Sequence, residues 1–347
     1  MRVLFLSPRN IWPPNSGAKL REYHLARNLA AQAEVSLLAF APDSERLSQA
    51  LPFFRNVVTV PPPRRYTAWK LARGIVGGQP LPVLNYTTAA MRKALAEQIN
   101  RGAFDVVQIE GTPMAAYVPQ IQQKPRAPLI VYDWHNIDSE LMRRYALQAR
   151  SWPQRLYAAR TARLLESIER DMLARGAAHL VCSAREQSQL LRIAPQAKIH
   201  AIANGVDTQS FATSSSRIRD RLLFVGVMDY HANILAAVTF AKEVWPQIHT
   251  ALPYLRLTLV GANPVPEVRA LAALPNVEVT GTVPDLGPFY QEAVASVVPL
   301  KTGGGTRLKI LEALAAGVPV VSTALGAEGL AVVPGEHILL AESPADW

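Results

Sequence analysis

The sequence predicts an α/β protein built from two doubly wound domains. The chain has 347 residues, more than one core usually spans. Apolar strand-like segments alternate with helical segments in both halves, which favours parallel sheets covered on both faces. A polar, turn-rich stretch at residues 208–220 lies beside the change from one half to the other. We therefore place the domains at residues 1–203 and 204–347, with ligands expected beyond the carboxyl ends of the strands, in a cleft between two facing sheets.

The N-terminal half supplies seven strand-like segments and several helical ones. The strands are predicted at residues 2–7, 34–40, 57–60, 104–110, 128–136, 178–183 and 197–204. Amphipathic spacing predicts helices over residues 17–33 and 85–100, a long helical region over 139–175 that breaks near Pro153, and a short helix after residue 183. The proline run at residues 61–63 is predicted to form a stiff, extended connector.

The C-terminal half repeats this plan. Strands are predicted at residues 220–226, 255–261, 277–281, 295–300 and 318–323. One helix is predicted over residues 232–248, and a second begins near Thr306 and stops at Gly317.

Composition describes an ordinary soluble protein, with 49% apolar and 18% charged residues. The single cysteine, Cys182, excludes an internal disulfide and fits a buried strand better than a nucleophile. The apolar run at the N-terminus is too short for a signal peptide, and no run of 18 apolar residues is present, so we expect a cytosolic protein.

Residues 1–203 carry a net charge of +13 and residues 204–347 a net charge of −4. The basic half either meets an anionic partner or is a solvated arginine-rich surface; no nucleic acid is expected as a partner.

The stretch GGGTRLKILEALAAGVPVV, residues 303–321, carries the strongest chemical signal. Its glycines expose backbone N–H groups after a strand, a helix N-terminus follows, and Arg307 and Lys309 lie within a turn, which suits an anion. Glu312 is suited to accept hydrogen bonds from ribose hydroxyls. A tight turn with a surface carboxylate is the alternative interpretation. The stretch has neither the Walker A sequence nor the spacing of a dinucleotide fingerprint.

These residues resemble the donor-site signature of glycosyltransferase family 4, and the resemblance extends over essentially the whole chain. Residues 303–321 together with GAEGL form the most specific match, along with NGVD in IANGVDTQSF. PPNSGAKLREYHLARNLA resembles the N-terminal glycine loop and helix of the family, and IVYDWHNIDSELMRR resembles its histidine loop. The resemblance implies the GT-B fold and a nucleotide-diphosphate sugar donor. The most similar subgroup is typical of bacterial cell-surface polysaccharide gene sets.

The resemblance assigns roles residue by residue. It implies that Glu312 binds the ribose, that Gly17 approaches the diphosphate, and that His135 contacts the sugar at the reacting centre. The first glutamate of the family's Glu-x7-Glu pattern is replaced by Gly304, so N–H groups of Gly304 and Gly305 are candidates for part of its contact, with Thr306 beside them.

A second departure concerns the basic pair that the family carries after the first donor-domain strand. FVGVMDYHANI offers Asp229, His231 and Asn233 there, so Arg307 and Lys309 become the candidates to neutralise the diphosphate. Possible contacts with the acceptor or the sugar are Glu110, Asn136, Asp229 and Asn233.

The implied activity is retaining transfer of a sugar, with hexosyl transfer as the expected type, to a glycan or polyprenyl-linked acceptor. No cofactor and no metal are expected, because preformed cations and helix-end N–H groups would stabilise the leaving diphosphate. The arginine-rich region 140–175 either lies on an anionic membrane surface, at the inner face of the membrane, or is scaffold.

Two rival interpretations remain open. One is a non-hydrolysing nucleotide-sugar epimerase, which would need several acidic and histidine groups around the sugar, and the sequence predicts no such cluster. The other is a noncatalytic or truncated GT-B module, since the sequence stops at AESPADW, before the helix that crosses back in such transferases.

Overall fold

The computed structural model describes residues 1–63, 67, 70, 73–75, 77–149, 151–211 and 219–347. Arg150 and most of the predicted linker, residues 212–218, lie outside the described residues. The chain divides into two compact units, Met1–Ala203 and Asn204–Trp347. None of the helices formed by the described residues combines the length and the apolar composition that crossing a bilayer requires.

The N-terminal unit contains a seven-stranded sheet in the order β3-β2-β1-β4-β5-β6-β7, and all neighbouring strands are parallel. Its strands are β1 Arg2–Ser7, β2 Glu34–Phe40, β3 Asn56–Val60, β4 Val106–Glu110, β5 Leu129–Trp134, β6 Ala178–Val181 and β7 Ile199–Ala201. Its α-helices include α1 Gly17–Leu29, α2 Ser44–Ala50, α3 Leu81–Tyr86, α4 Ala89–Arg101, α5 Val118–Gln122, α6 Asp138–Gln148, α7 Trp152–Arg175 and α8 Ala184–Ile193, with a 3-10 helix at Thr112–Tyr117.

The C-terminal unit contains a six-stranded sheet in the order β10-β9-β8-β11-β12-β13, again parallel throughout. Its strands are β8 Arg221–Val225, β9 Arg256–Val260, β10 Val277–Gly281, β11 Ala293–Val298, β12 Val320–Ser322 and β13 Leu339–Leu340. The helices are α9 His231–Thr239, a π-helical turn Phe240–Val244, α10 Trp245–Ala251, α11 Pro266–Arg269, α12 Gly287–Gln291, α13 Leu308–Ala315 and α14 Ala324–Ala327, with 3-10 helices at Thr208–Phe211 and Ala270–Ala273.

The central strands of both sheets are covered on both faces, and in the second sheet every residue of β8 is buried. In β1 every residue after Arg2 is buried, and β2 is buried after Glu34, the pattern of central parallel strands. Two parallel sheets with helices confirm the predicted α/β, doubly wound fold class. In each sheet the strand order reverses next to the first strand, between β1 and β4 and between β8 and β11. Ligands of doubly wound sheets bind at such points.

Several predicted boundaries are wrong for local reasons. The helix predicted over 85–100 begins at Ala89, because the Thr88 side chain accepts a hydrogen bond from the Met91 N–H at 3.1 Å and caps it. The helix predicted from Thr306 begins at Leu308, because Arg307 has a non-helical backbone. The predicted break near Pro153 is confirmed, since α7 starts at Trp152 with the proline in its first turn.

Candidate active site

The carboxyl ends of β1, β4 and β5 bring ionisable side chains together in the N-terminal unit. Glu110 is the last residue of β4 and His135 directly follows β5, and Glu22 reaches the same place from α1. One ligand-capable atom of each lies within 4.8 Å of the others. The strand reversal beside β1 therefore coincides with a cluster of two carboxyl groups and an imidazole.

His135 lies against both carboxyl groups and forms a hydrogen bond with that of Glu110. Its Nε2 lies 3.0 Å from Oε2 of Glu110 and 3.5 Å from Oε1 of Glu22. Gln108 donates from Nε2 to Oε1 of Glu110 at 2.8 Å, so the two oxygens of Glu110 have different partners. The imidazole is thus fixed in position by hydrogen bonds before any ligand binds.

Glu22 is held from its other side by the end of β1. Arg9 pairs with Oε1 of Glu22 at 2.5 Å, and the Ser7 hydroxyl donates to Oε2 at 2.5 Å. Glu22 itself is only 1% exposed, although it is a helix residue. A charged residue that is almost fully buried needs such partners, because desolvation is costly.

Burial controls the protonation of this cluster. It raises the pKa of Glu22 to about 7, against the opposing charge of Arg9. It also raises the pKa of Glu110, with the Asp133 charge adding to the shift, and lowers the pKa of His135. These opposite shifts favour a neutral pair, in which protonated Glu110 donates to Nε2 of His135 and the ring proton sits on Nδ1.

A buried ion pair lies beside the cluster. Arg21 donates from Nε and Nη2 to Asp133 at 2.8–2.9 Å, and its Nη1 donates to the Ile202 carbonyl at 2.6 Å. Asp133 is the register partner of Glu110 across β4 and β5, which is why its charge acts on Glu110. The pair fixes α1, and with it Glu22, against the sheet.

The cluster does not fit a resident divalent cation. Two carboxyl groups and an imidazole are suitable ligands in kind. The Arg9 guanidinium, however, already occupies Oε1 of Glu22, the oxygen that faces His135. A divalent ion there would have to displace or repel this guanidinium, so the absence of a metal remains our prediction.

The C-terminal unit carries the glycine-rich loop at the carboxyl end of β11. Gly303 and Gly305 have φ values of +115° and +71°, at which the backbone of a residue with a side chain would be strained. Among the described residues, the hydroxyls of Thr302 and Thr306 are buried and have no hydrogen-bond partner. Buried hydroxyls of this kind call for a partner, which a ligand can supply.

Lys309 places its ammonium at the reversal point of the second sheet. Its Nζ donates to Oδ1 of Asn233 at 3.0 Å and lies 4.5 Å from the centre of the Phe224 ring at the end of β8. A Cβ added to Gly226, which follows β8, would lie 2.8 Å from the Asn233 side chain and 3.0 Å from this Nζ, so a larger residue there would displace this pair. Burial, and then the charge of Arg307, lower the pKa of Lys309 to about 7.

Glu312 follows on the same helix, α13. The Tyr290 hydroxyl donates to its Oε2 at 3.1 Å, and burial raises the pKa of the carboxyl group while this hydrogen bond opposes the shift. Tyr290 is fully buried, so Glu312 is held in a fixed orientation.

Arg307, predicted as a partner of the diphosphate, also has a role within the glycine loop. Its guanidinium donates to the carbonyl groups of Gly304 and Gly305, and the residue is 7% exposed. It therefore closes the glycine loop on itself, which orders the loop. Asn233 is buried and contacts Lys309, whereas the exposed Asp229 accepts a hydrogen bond from Asn263 at 3.0 Å.

The remaining predicted residues lie near these clusters without a defined contact. Gly17 is the exposed first residue of α1, and Asn136 is a half-buried residue between His135 and α6. The glycine and the asparagine remain candidates for ligand contact by position.

Sequence reasoning missed Ser7, Arg9 and Glu22. The expectation that no cluster of acidic and histidine groups exists was wrong, because Glu22 joins Glu110 and His135 through the fold. One signal was present: Glu22 occupies the stripe of α1 that continues at the buried Ala26, four residues on. A glutamate on the apolar stripe of a helix needs a buried partner.

Two family models match the chain. The model described as a glycosyl transferase 4-like domain matches residues 16–205, more than half of the chain. The model described as glycosyl transferases group 1 matches residues 219–347. No curated protein sequence matches the chain.

Solved structures share the fold at low sequence identity. Sucrose-phosphate synthase from Thermosynechococcus elongatus is 18% identical, with a TM-score of 0.73 over 99% of this chain and 86% of that one. The Anabaena protein HepE, solved with UDP and glucose, is 15% identical, with a TM-score of 0.67 over 99% and 86%. A UDP-forming α,α-trehalose-phosphate synthase from Burkholderia xenovorans, solved with glucose-6-phosphate, is 11% identical, with a TM-score of 0.65 over 100% and 89%. These similarities show that the fold is GT-B.

Proposed function

This chain belongs to the glycosyl transferase 4-like family, and we propose that it is a retaining, hexosyl-type glycosyltransferase. It moves a sugar from a nucleotide-diphosphate donor to a glycan or polyprenyl-linked acceptor, in the cytoplasm and in the making of a bacterial cell-surface polysaccharide. The observation that carries the donor assignment is Lys309, whose half-buried side chain places its ammonium at the sheet's reversal point beside a glycine loop.

Lys309 is proposed as the cation that neutralises the diphosphate. The basic pair expected after β8 is absent from the sequence, and Asn233 instead positions the Lys309 ammonium at the end of that strand. The unpartnered hydroxyls of Thr302 and Thr306 add two donors in the same loop. Arg307 is proposed to shape the loop through Gly304 and Gly305.

These groups would act on the charge that develops as the nucleotide diphosphate leaves. Preorganised donors stabilise such charge without reorganisation, and one donor is typically worth about 3–4 kcal/mol. Glu312, oriented by Tyr290, is proposed to accept hydrogen bonds from the ribose hydroxyls. A protein cation and donors then take the role that a metal has in other transferases.

His135 is proposed to donate a hydrogen bond to the transferred sugar. Its Nε2 is engaged by Glu110, which leaves Nδ1–H as the donor. The hydrogen bond with Glu110 fixes the ring, so the donor direction is set before the sugar binds. Asn136 and Gly17 are proposed as further contacts, to the sugar and to the diphosphate.

Because the pKa of Lys309 is lowered, the pH dependence of donor affinity tests whether Lys309 binds the diphosphate. A lysine with a free-state pKa of about 7 must take up a proton to bind a diphosphate at higher pH. UDP-glucose is a suitable probe, because its esterified phosphates stay ionised throughout. We expect its affinity to fall about tenfold per pH unit above neutrality, with proton uptake measured by calorimetry in buffers of different ionisation enthalpy.

The matched control is Lys309→Arg. Arginine keeps the positive charge but does not titrate in this range, so proton uptake should disappear. Uptake of the same size in the variant would show that another group titrates and would remove Lys309 from the diphosphate site.

One observation supports a second candidate function, that of a nucleotide-sugar epimerase. Such an enzyme needs acidic and histidine groups, and Glu22, Glu110 and His135 form such a group. The two activities differ in a measurable way, because an epimerase converts the donor without an acceptor.

A further inference from the structure

The helical hairpin formed by α6 and α7 ends in an exposed apolar tip. Leu147, in the last turn of α6, is 77% exposed, as is Trp152 at the start of α7, and Leu156 one turn further on is 62% exposed. Ile75, 56% exposed, lies beside the hairpin, since Arg160 of α7 donates to the carbonyl groups of Gly74 and Gly77 around it. Leu147, Trp152 and Leu156 thus share the tip of the hairpin, and Ile75 lies further along α7.

The charge around this tip is of one sign. Residues 141–165 contain six arginines and no aspartate or glutamate. Within the described part of the chain, neither Arg155 nor Arg163 forms an ion pair, and both are exposed. Trp152, Leu156 and Arg163 fall on one face of α7, opposite the buried Ala158 and Leu165.

Several arginines of the region that the sequence predicts to be basic are paired with acidic side chains in the structure. Arg143 and Arg170 pair with Glu166, and Arg175 pairs with Asp171. Arg144 and Arg185 pair with Glu140 at the other end of α6. These arginines are neutralised within the unit, so the region from Glu140 to Arg175 is not uniformly basic. The unneutralised charge is concentrated near the tip.

We propose that the tip docks on an anionic membrane surface, with Leu147, Trp152 and Leu156 in the headgroup region and Arg155 and Arg163 against lipid phosphates. Tryptophan prefers the membrane interface, where its ring is apolar and its N–H stays wet. Arg155 lies within one turn of Trp152, and Arg163 lies about two turns beyond Leu156 on the same helix. Arginine side chains can extend to the headgroups while their stems cover apolar surface. The positive charge of the tip favours an anionic membrane as its partner, because lipid phosphates supply the negative charge that the tip lacks.

This docking is peripheral and reversible. A few apolar side chains alone hold a protein weakly, and attraction to anionic lipid is the second signal that makes binding stable. The inference does not depend on sugar transfer, although a polyprenyl-linked acceptor would be met at such a surface.

The test uses the full chain with two kinds of vesicle. One is phosphatidylcholine alone, and in the other about a third of the lipid is phosphatidylglycerol. We expect the protein to sediment with the anionic vesicles and not with the neutral ones, and to be released when salt is raised from about 0.1 to about 0.5 M. Equal sedimentation with both vesicles, or with neither, would overturn the proposal.

Two double variants separate the electrostatic contribution to membrane binding from the apolar one. Arg155→Glu with Arg163→Glu should weaken binding at least about 25-fold, and Trp152→Ser with Leu156→Ser at least about tenfold. Control variants in the C-terminal unit, Tyr254→Ser at 64% exposure and the exposed Arg269→Glu, should bind like wild type. The proposal fails if the tip variants bind as well as the controls. It also fails if Trp152→Ser abolishes self-association measured by ultracentrifugation without vesicles, because the tip would then cover a second copy.

Discussion

Replacing Lys309 by Met should weaken UDP-glucose binding about 10- to 100-fold, because one charge-assisted hydrogen bond to the diphosphate is lost. Binding of uridine alone should change little, since the nucleoside carries no phosphate. Methionine resembles the lysine stem in volume, and the native ammonium is already partly desolvated. The hydrogen bond to the buried Asn233 is lost, so the thermal unfolding midpoint should fall slightly, and calorimetry with both ligands measures the difference in affinity.

Glu312→Gln is the matched control on the same helix. If Glu312 holds the ribose, this variant should lower affinity for ribonucleotides and leave affinity for a 2′,3′-dideoxy analogue nearly unchanged. The two variants should thus affect different parts of one ligand. Equal losses of UDP-glucose and uridine affinity in Lys309→Met would show that Lys309 acts on the fold of α13 and does not touch phosphate.

Replacing His135 by Ala should lower the rate of sugar transfer by roughly 10²–10³-fold while donor affinity changes little. The expected size is that of one preorganised donor acting on the reacting centre. Single-turnover kinetics separates this effect from product release. A loss confined to KM would instead place His135 in ground-state binding.

Glu110 provides the control for the protonation state of this pair. A glutamine at position 110 can accept from Gln108 through its oxygen and donate to Nε2 of His135 through its amide, as protonated Glu110 does. Glu110→Gln should therefore keep most of the activity, whereas Glu110→Leu should lose it. If Glu110→Gln is as inactive as Glu110→Leu, the pair works as an ion pair and the neutral assignment is wrong.

Much of the fold was predictable because strand and helix periodicity is local. The strands β1 and β2 begin and end at the predicted residues, since both are apolar runs bounded by polar residues. The start of α13 was not predictable, because it depends on Arg307 closing the glycine loop through the carbonyl groups of Gly304 and Gly305. That contact depends on a folded loop and leaves no periodic signal.

The candidate site was predictable only in part. Glu110 and His135 could be placed at strand ends from their neighbours in sequence, as could Lys309 and Glu312 near the glycine loop. The contact between Glu22 and His135 joins residues far apart in the chain, and it depends on how α1 packs against the sheet. The contact of Lys309 with Asn233 likewise could not be predicted, because it depends on how α9 and α13 pack together.

The most direct test of the central claim is incubation of the purified protein with a panel of nucleotide-diphosphate sugars, each with and without a glycan or polyprenyl-phosphate acceptor. Release of nucleoside diphosphate and the anomeric form of the product are measured together by NMR. The account predicts that one donor is consumed only when an acceptor is present, and that the sugar keeps its anomeric configuration in the product. Conversion of the donor to an epimer without any acceptor would contradict it.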